Sequence, residues 1–120
     1  YTDPEIASVG ITEDEAKAQG IPVKKGKYLM TGNGRSIIDE QERGFIKVIA
    51  HAETDVILGA QLMCARATDI VSELSTAIVN GLTCAQLASV IRPHPTFCEG
   101  VTEAMEDVHG MAIHLAPKKR

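Results

Sequence analysis

The sequence predicts an α+β domain of two layers, an antiparallel sheet with helices packed on it. Three observations carry that expectation. Two adjacent strand-like runs are joined by four turn residues, the mark of an antiparallel hairpin. The longer helical patterns fall together in the second half of the chain, and helices segregated in this way indicate α+β rather than alternating α/β order. Length supplies the third: 120 residues suffice for one domain with a real core, but not for two nucleotide-binding folds.

The elements follow in order. Alternation of Ala7, Val9 and Ile11 gives a first strand. Thr12-Glu13-Asp14-Glu15 is a capping box whose acidic residues suit the positive end of a helix dipole. That short helix should end at Gly20, with Pro22 as a stop. Residues 23–30 form a second strand with a lysine-studded face, and Thr31-Gly32-Asn33-Gly34 reads as a turn with its glycines at positive φ. The Gly-x-Gly there is no dinucleotide fingerprint, because Ile37 holds the third glycine position and no strand–turn–helix context is expected.

Residues 44–51 and 56–64 then make the hairpin, closed by Ala52-Glu53-Thr54-Asp55, with apolar content fit for the middle of a sheet. Over residues 68–80, Ile70, Leu74, Ala77 and Ile78 fall at i, i+4, i+7 and i+8 on one helix face, and Gly81 ends the run. Thr83-Cys84-Ala85-Gln86 opens another capped helix reaching about Val90. A last helix over residues 97–109 should bury Phe97, Val101, Ala104, Met105 and Val108. Aromatic residues are only 3%, so the core must rest on Ile, Val, Leu, Met and Ala. The domain is expected over residues 1–115, with 116–120 a basic tail.

Composition excludes several function classes. Hydrophobic residues at 44% and charged residues at 23% are those of a soluble globular protein. A net charge of −4, with Arg35, Arg43, Arg66 and Arg92 scattered singly, argues against a nucleic-acid partner. No apolar run reaches spanning length and no signal peptide is visible, so no membrane partner is expected. Cys64, Cys84 and Cys98 are odd in number and lack C-x-x-C spacing. They suit neither a disulfide scaffold nor a zinc site, and point to a reducing cytoplasmic setting in which they are small core residues. His51, His109 and His114 share no ligand spacing with them, and no metal is expected. The chain opens without Met and reads as an excised piece of a longer protein.

One stretch looks chemical: Arg92-Pro93-His94-Pro95-Thr96-Phe97-Cys98-Glu99-Gly100. Two prolines brace His94 on a stiff turn. Thr96 would be the N-cap of the last helix and Glu99 its N3 residue, leaning back toward His94. An imidazole beside a carboxylate is the usual arrangement of a tuned general base. From the residues alone two readings stand together: a capped turn, and an acid/base pair.

His94-Pro95-Thr96 followed by Glu99 is similar to the C-terminal signature of the flavin-dependent pyridine nucleotide-disulfide oxidoreductases, above all of their dihydrolipoamide dehydrogenase branch. The resemblance also covers the segments Tyr1-Thr2-Asp3-Pro4-Glu5-Ile6-Ala7-Ser8-Val9-Gly10-Ile11-Thr12-Glu13, Gly44-Phe45-Ile46-Lys47-Val48-Ile49 and Ile57-Leu58-Gly59-Ala60-Gln61, so it runs from Tyr1 to about Ala112. It implies a C-terminal dimerisation domain that completes the partner subunit's active site in a homodimer. By that resemblance His94 is the acid/base and Glu99 its orienting partner, and the backbone of His94 and Pro95 approaches the partner's flavin through a cis peptide. The dithiol of a lipoyl-bearing protein, from a 2-oxoacid dehydrogenase or glycine cleavage system, would give its electrons through a redox-active disulfide and FAD to NAD.

Departures from the family pattern narrow the branch. Arg92 stands where a first His is common in dihydrolipoamide dehydrogenases. Gly100 stands where glutathione reductases tend to carry a second Glu, and mercuric reductases lack the His. The alternatives are a glutathione-reductase-type domain or a non-catalytic dimerisation module. The chain contains no Gly-x-Gly-x-x-Gly and no Cys-x-x-x-x-Cys, so it is expected to hold half an active site and, alone, to bind neither FAD nor NAD.

Overall fold

The computed structural model describes residues 2–113. Four strands, β1 (Glu5–Gly10), β2 (Val23–Leu29), β3 (Phe45–His51) and β4 (Ile57–Cys64), form one sheet in the order β1-β4-β3-β2. Every neighbouring pair is antiparallel. The apolar hairpin β3–β4 therefore occupies the centre, as its composition predicts. Helix α1 (Glu13–Ala18) joins β1 to β2, and α2 (Gly34–Ile38) follows β2. Three helices, α3 (Ala67–Val79), α4 (Cys84–Ala88) and α5 (Glu99–Val108), complete the chain.

Register explains the core. Tyr28, Ile46 and Leu62 lie abreast on β2, β3 and β4, and Val48 and Ala60 lie abreast beside Gly26; all but the glycine belong to the buried cluster. Because side chains alternate along a strand, these rows share one face of the sheet. On that face α3 packs over β1 and β4, while α5 packs over β2 and β3. Ile70, Leu74 and Ala77 are buried and Ile78 packs partly against them, which fulfils the expected face of α3. Along α5, Val101, Ala104 and Met105 are fully buried, with Phe97 and Val108 at the margin.

Gly26 sets how closely α5 approaches. A Cβ there would fall 2.0 Å from the Ala104 carbonyl oxygen and 2.7 Å from the Val108 nitrogen. The helix thus lies against bare strand backbone, and Asp107 Oδ2 accepts the Lys27 amide hydrogen at 2.8 Å. Carboxylate capping of this edge amide leaves α5 fixed over β2, with its first turn directed at the β2–α2 connection.

Two local expectations need correction. Residues 30–34 are not a glycine turn of positive φ; Met30–Gly32 is a 3₁₀ turn and Gly34 opens α2, so strand, turn and helix do follow one another. Asn33 is the cause, since its side-chain Oδ1 accepts from Ser36 N at 2.9 Å and caps a helix only five residues long. Second, α5 begins at Glu99 rather than Phe97, and its N-cap is Cys98 without a side-chain bond. Thr96 is no N-cap: it lies two residues before the actual cap, and its hydroxyl is turned toward the Pro93 carbonyl, to which it donates at 2.8 Å. Cys64 and Cys84 are core residues as expected, whereas Cys98 is only half-buried. His114 and the tail at 116–120 lie outside the described residues, as does the boundary expected at 115. Among the described residues no helix is long and apolar enough to cross a membrane.

Candidate functional site

The turn before α5 brings His94 and Glu99 together. His94 Nδ1 lies 3.0 Å from Glu99 Oε1 and 3.2 Å from Oε2, across a loop whose His94–Pro95 peptide is cis. Glu99 occupies the first helical position, one turn from the proline-braced loop, which is why its side chain can reach back. Its Oε2 also accepts the Thr96 amide hydrogen at 3.1 Å. This is one half of the expected capping box; the other half is missing because the helix starts at Glu99 and the Thr96 hydroxyl is turned toward the Pro93 carbonyl.

The pair is open on one side only. The His94 side chain is 76% exposed and that of Glu99 27%. Nδ1 faces the carboxylate, so the tautomer that donates there leaves Nε2 as a bare acceptor. Among the described residues Nε2 has no partner. Beneath the ring lies Gly34, where an added Cβ would sit 3.5 Å from His94 Cε1. A recess of ≈ 180 Å³ is lined by Tyr28, Asn33, Gly34, His94, Glu99 and Glu103, with Gly32 at its edge. An arrangement of this kind can take a proton at Nε2 while the carboxylate balances the charge that forms.

Several contributors to the site are not visible in a motif. Asn33 is 3% exposed and donates from Nδ2 to the Thr96 carbonyl at 3.0 Å. Arg35 lies with its guanidinium carbon 5.9 Å from the centre of the Phe97 ring, a second tie between α2 and the loop. Glu103 is buried one turn beyond Glu99, and its spacing of four could have placed it on the same helix face. Tyr28 forms the buried wall; burial, then the nearby Glu103 and Glu99 carboxylates, push its hydroxyl up to about 12, so it stays protonated. Arg92 is a further surprise, with a side chain only 4% exposed. Its guanidinium pairs with Glu73 on α3 and donates to Thr102 on α5, anchoring the chain two residues before His94.

The other described histidines, His51 and His109, serve structure. His51 Nδ1 accepts the Glu53 and Thr54 amide hydrogens and closes the β3–β4 turn. His109 Nε2 lies 2.7 Å from Asp55 Oδ1, and Asp55 also meets Lys24 at 2.9 Å and the Ala85 amide at 2.9 Å. Burial pushes the Asp55 carboxyl up, but the His109, Ala85 and Lys24 contacts outweigh it and hold it below the usual range. No group of His, Cys, Asp and Glu among the described residues could hold a metal ion.

Comparison with known proteins places this geometry in context. A family model described as the dimerisation domain of pyridine nucleotide-disulphide oxidoreductases matches residues 1–105. Dihydrolipoyl dehydrogenase of Thermus scotoductus is 42% identical over 115 residues, covering 96% of this chain and 25% of that protein. The enzyme of the same name from Halobacterium salinarum is 41% identical over 114 residues, covering 95% and 24%. Among solved structures, LpdA from Mycobacterium tuberculosis aligns with a TM-score of 0.83 at 25% identity, over 88% of this chain and 23% of that one. RclA, a HOCl-induced flavoprotein disulfide reductase of Escherichia coli, shares the fold with a TM-score of 0.83 at 24% identity, over 87% and 24%. The chain spans about a quarter of the length of the curated relatives it matches.

Proposed function

Since this chain belongs to the dimerisation-domain family of the pyridine nucleotide-disulphide oxidoreductases, we propose that it supplies half of the active site of a dihydrolipoamide dehydrogenase. In that reading two copies pair, and each presents His94 to the dithiol site of the other. The substrate is the reduced lipoyl group of a 2-oxoacid dehydrogenase or glycine cleavage complex. One observation carries the proposal: His94 is gripped by Glu99 at Nδ1 and open at Nε2.

The chemistry needs such a group. A free thiol has a pKa of about 8.5, so only a few per cent is thiolate at neutral pH. His94 Nε2 takes the proton from the substrate sulfur, and Glu99 holds the ring in the tautomer that can accept it. The thiolate then attacks a disulfide in another part of the enzyme, and one S–S bond forms as the other breaks. A returning proton comes from the same nitrogen.

FAD and NAD are the cofactors of the full-length enzyme in this reading. The segment Gly32-Asn33-Gly34 does not fit a phosphate-binding loop for either one, because the Asn33 side chain is engaged internally ahead of a five-residue helix; in this reading it is the backbone of His94 and Pro95 that faces the partner subunit's flavin. No step is therefore assigned to a cofactor on this chain. Gly100 favours the lipoamide branch over the glutathione branch. A Cβ there would meet Ile46 Cδ1 at 3.0 Å and Met30 Sδ at 3.1 Å, so the first carbon of a second Glu would already require these buried side chains to yield.

The test uses the full-length flavoenzyme and stopped-flow reduction of its flavin by dihydrolipoamide. His94→Gln should slow that step ~10²–10⁴-fold, the usual worth of a positioned general base. Glu99→Gln should slow it less, because the imidazole remains. Reduction of the His94→Gln flavin at the parent rate would leave the pair as a helix cap and nothing more.

A further inference from the structure

We propose that Asn33 is a positioning residue for the acid/base pair, acting on it through Thr96. The inference rests on the reading of His94 as proton acceptor. Pro93 and Pro95 stiffen the loop internally, but they do not fix its orientation against the sheet. That orientation needs a bond across the gap. Among the described residues, the single hydrogen bond between residues 93–98 and the β2–α2 connection is Asn33 Nδ2 to the Thr96 carbonyl, 3.0 Å.

The links from there are short and directional. The Thr96 peptide that Asn33 holds by its oxygen is followed along the chain by α5, and its residue donates through N to Glu99 Oε2 at 3.1 Å. The same carboxylate holds His94 Nδ1. Asn33 itself cannot drift, because it is 3% exposed and its Oδ1 accepts from both the amide and hydroxyl of Ser36, each at 2.9 Å. One end of the amide is thus locked into α2, and the other aims at the loop. A buried anchor is connected to an exposed ring through Thr96 and Glu99. Catalytic geometry is sensitive to such anchors, since a displacement of about 1 Å can cost ~10²-fold in rate.

Asn33→Ser separates this role from helix capping. Serine still offers an oxygen to the α2 amides, being as good an N-cap as asparagine. It is too short to reach the Thr96 carbonyl. In the full-length flavoenzyme this variant should keep its flavin and dimeric state, yet reduce flavin with dihydrolipoamide ~10-fold more slowly. Combined with His94→Gln, the same change should alter the rate by less than about twofold, because the ring being positioned is gone. Asn33→Asp provides a second variant of unchanged size; ionised at neutral pH it has no proton to donate to Thr96 and should be slowed similarly.

The outcomes separate cleanly. Parent rates for both Asn33 variants, alongside a slow His94→Gln, would overturn the inference and spare the proposed function. An equal loss from Asn33→Ser with and without His94 would also overturn it, since the effect would then lie elsewhere. A parent rate for His94→Gln would remove the proposed function, and this inference with it.

Discussion

Replacement of Gly26 by alanine should lift α5 from the sheet and cost the domain much of its stability. The glycine does not have positive φ, so the reason is not backbone freedom but the seat of α5. The new Cβ would lie 2.0 Å from the Ala104 oxygen, roughly 1.4 Å inside the 3.4 Å at which ordinary contact begins. Both nearest neighbours are helix backbone, which cannot rotate away as a side-chain tip can. The helix must lift, and it would take with it Val101, Ala104, Met105 and the Asp107 bond to Lys27. Overpacking of this kind costs typically 1–3 kcal/mol, and a backbone clash belongs near the top, about 3 kcal/mol. With an m value of about 1.5 kcal/mol/M for a domain of this size, the urea midpoint should fall by ~2 M. Gly20→Ala is the control. It has φ +68 with nothing within 4 Å of the added carbon, so only the left-handed strain of about 1 kcal/mol is expected. Far-UV circular dichroism in urea reads both. A Gly26→Ala midpoint within ~0.3 M of the parent, or one less affected than Gly20→Ala, would refute the packing argument. In the flavoenzyme the lifted helix should carry Glu99 away from His94 and slow flavin reduction as well.

Two further predictions use the titrating groups. Burial pushes the Cys64 thiol up to about 11, with Glu5 adding to it, and burial pushes Cys84 up to about 12, with Asp55 adding to it. An aromatic disulfide reagent at pH 8 should therefore label the half-buried Cys98 first, and reach the other two only on unfolding; rapid release of three thiols from folded protein would contradict this. Asp55 titrates below the ordinary carboxylate range in the fold, so its stabilisation is complete above the unfolded pKa of about 3.9 and is lost as pH falls through the lower folded value. Asp55→Asn should accordingly lower the urea midpoint at pH 7, and the gap from the parent should narrow at pH 3. A gap that widens in acid would show the sign to be wrong.

Local patterns were legible where all their partners are local. Thr12 with Glu15 and Thr83 with Gln86 form complete capping boxes, since every atom they need lies within three residues. Thr96 with Glu99 has the same spacing and forms only half of one. There the doubly proline-braced turn points the hydroxyl at the Pro93 carbonyl, and the Glu99 carboxylate serves the Thr96 amide and His94 together. Asn33 and Gly26 were illegible for a related reason. The significance of each depends on backbone some 60 to 80 residues away, which no window of sequence contains. Exposed apolar residues show the same limit: the C-terminal half contributes Val79, Val90, Ile91, Met111 and Ile113, Ile6 on β1 joins them, and so do Leu29, Ile37 and Ile38 from β2 and α2. The pairing of β2 with β3 and the emergence of α2 put those three on the surface.

Among the described residues there are two histidine–carboxylate pairs, and their difference argues which one suits the proposed chemistry. His109 and Asp55 are the closer couple at 2.7 Å, with side chains 28% and 17% exposed. Asp55 also binds Lys24 and the Ala85 amide, so β2, the β3–β4 turn, α4 and the end of α5 all meet on one carboxylate. Any proton exchanged there would disturb three contacts that hold the fold, and a group so engaged is a poor candidate for turnover. His94 and Glu99 are held from behind instead. Thr96 and Asn33 fix the carboxylate side, Gly34 floors the ring, and among the described residues Nε2 has nothing to accept from. The His94 ring is 76% exposed against 28% for His109, and in the proposed function only the exposed ring, tied to a carboxylate that no other element shares, gives an incoming thiol a place to leave its proton. That distinction predicts opposite phenotypes for the two rings. His109→Gln should lower the urea midpoint while a flavoenzyme carrying it still reduces flavin within about threefold of the parent rate, and His94→Gln should do the reverse. If both substitutions instead lowered stability and rate together, the division between a structural and a chemical pair would fail.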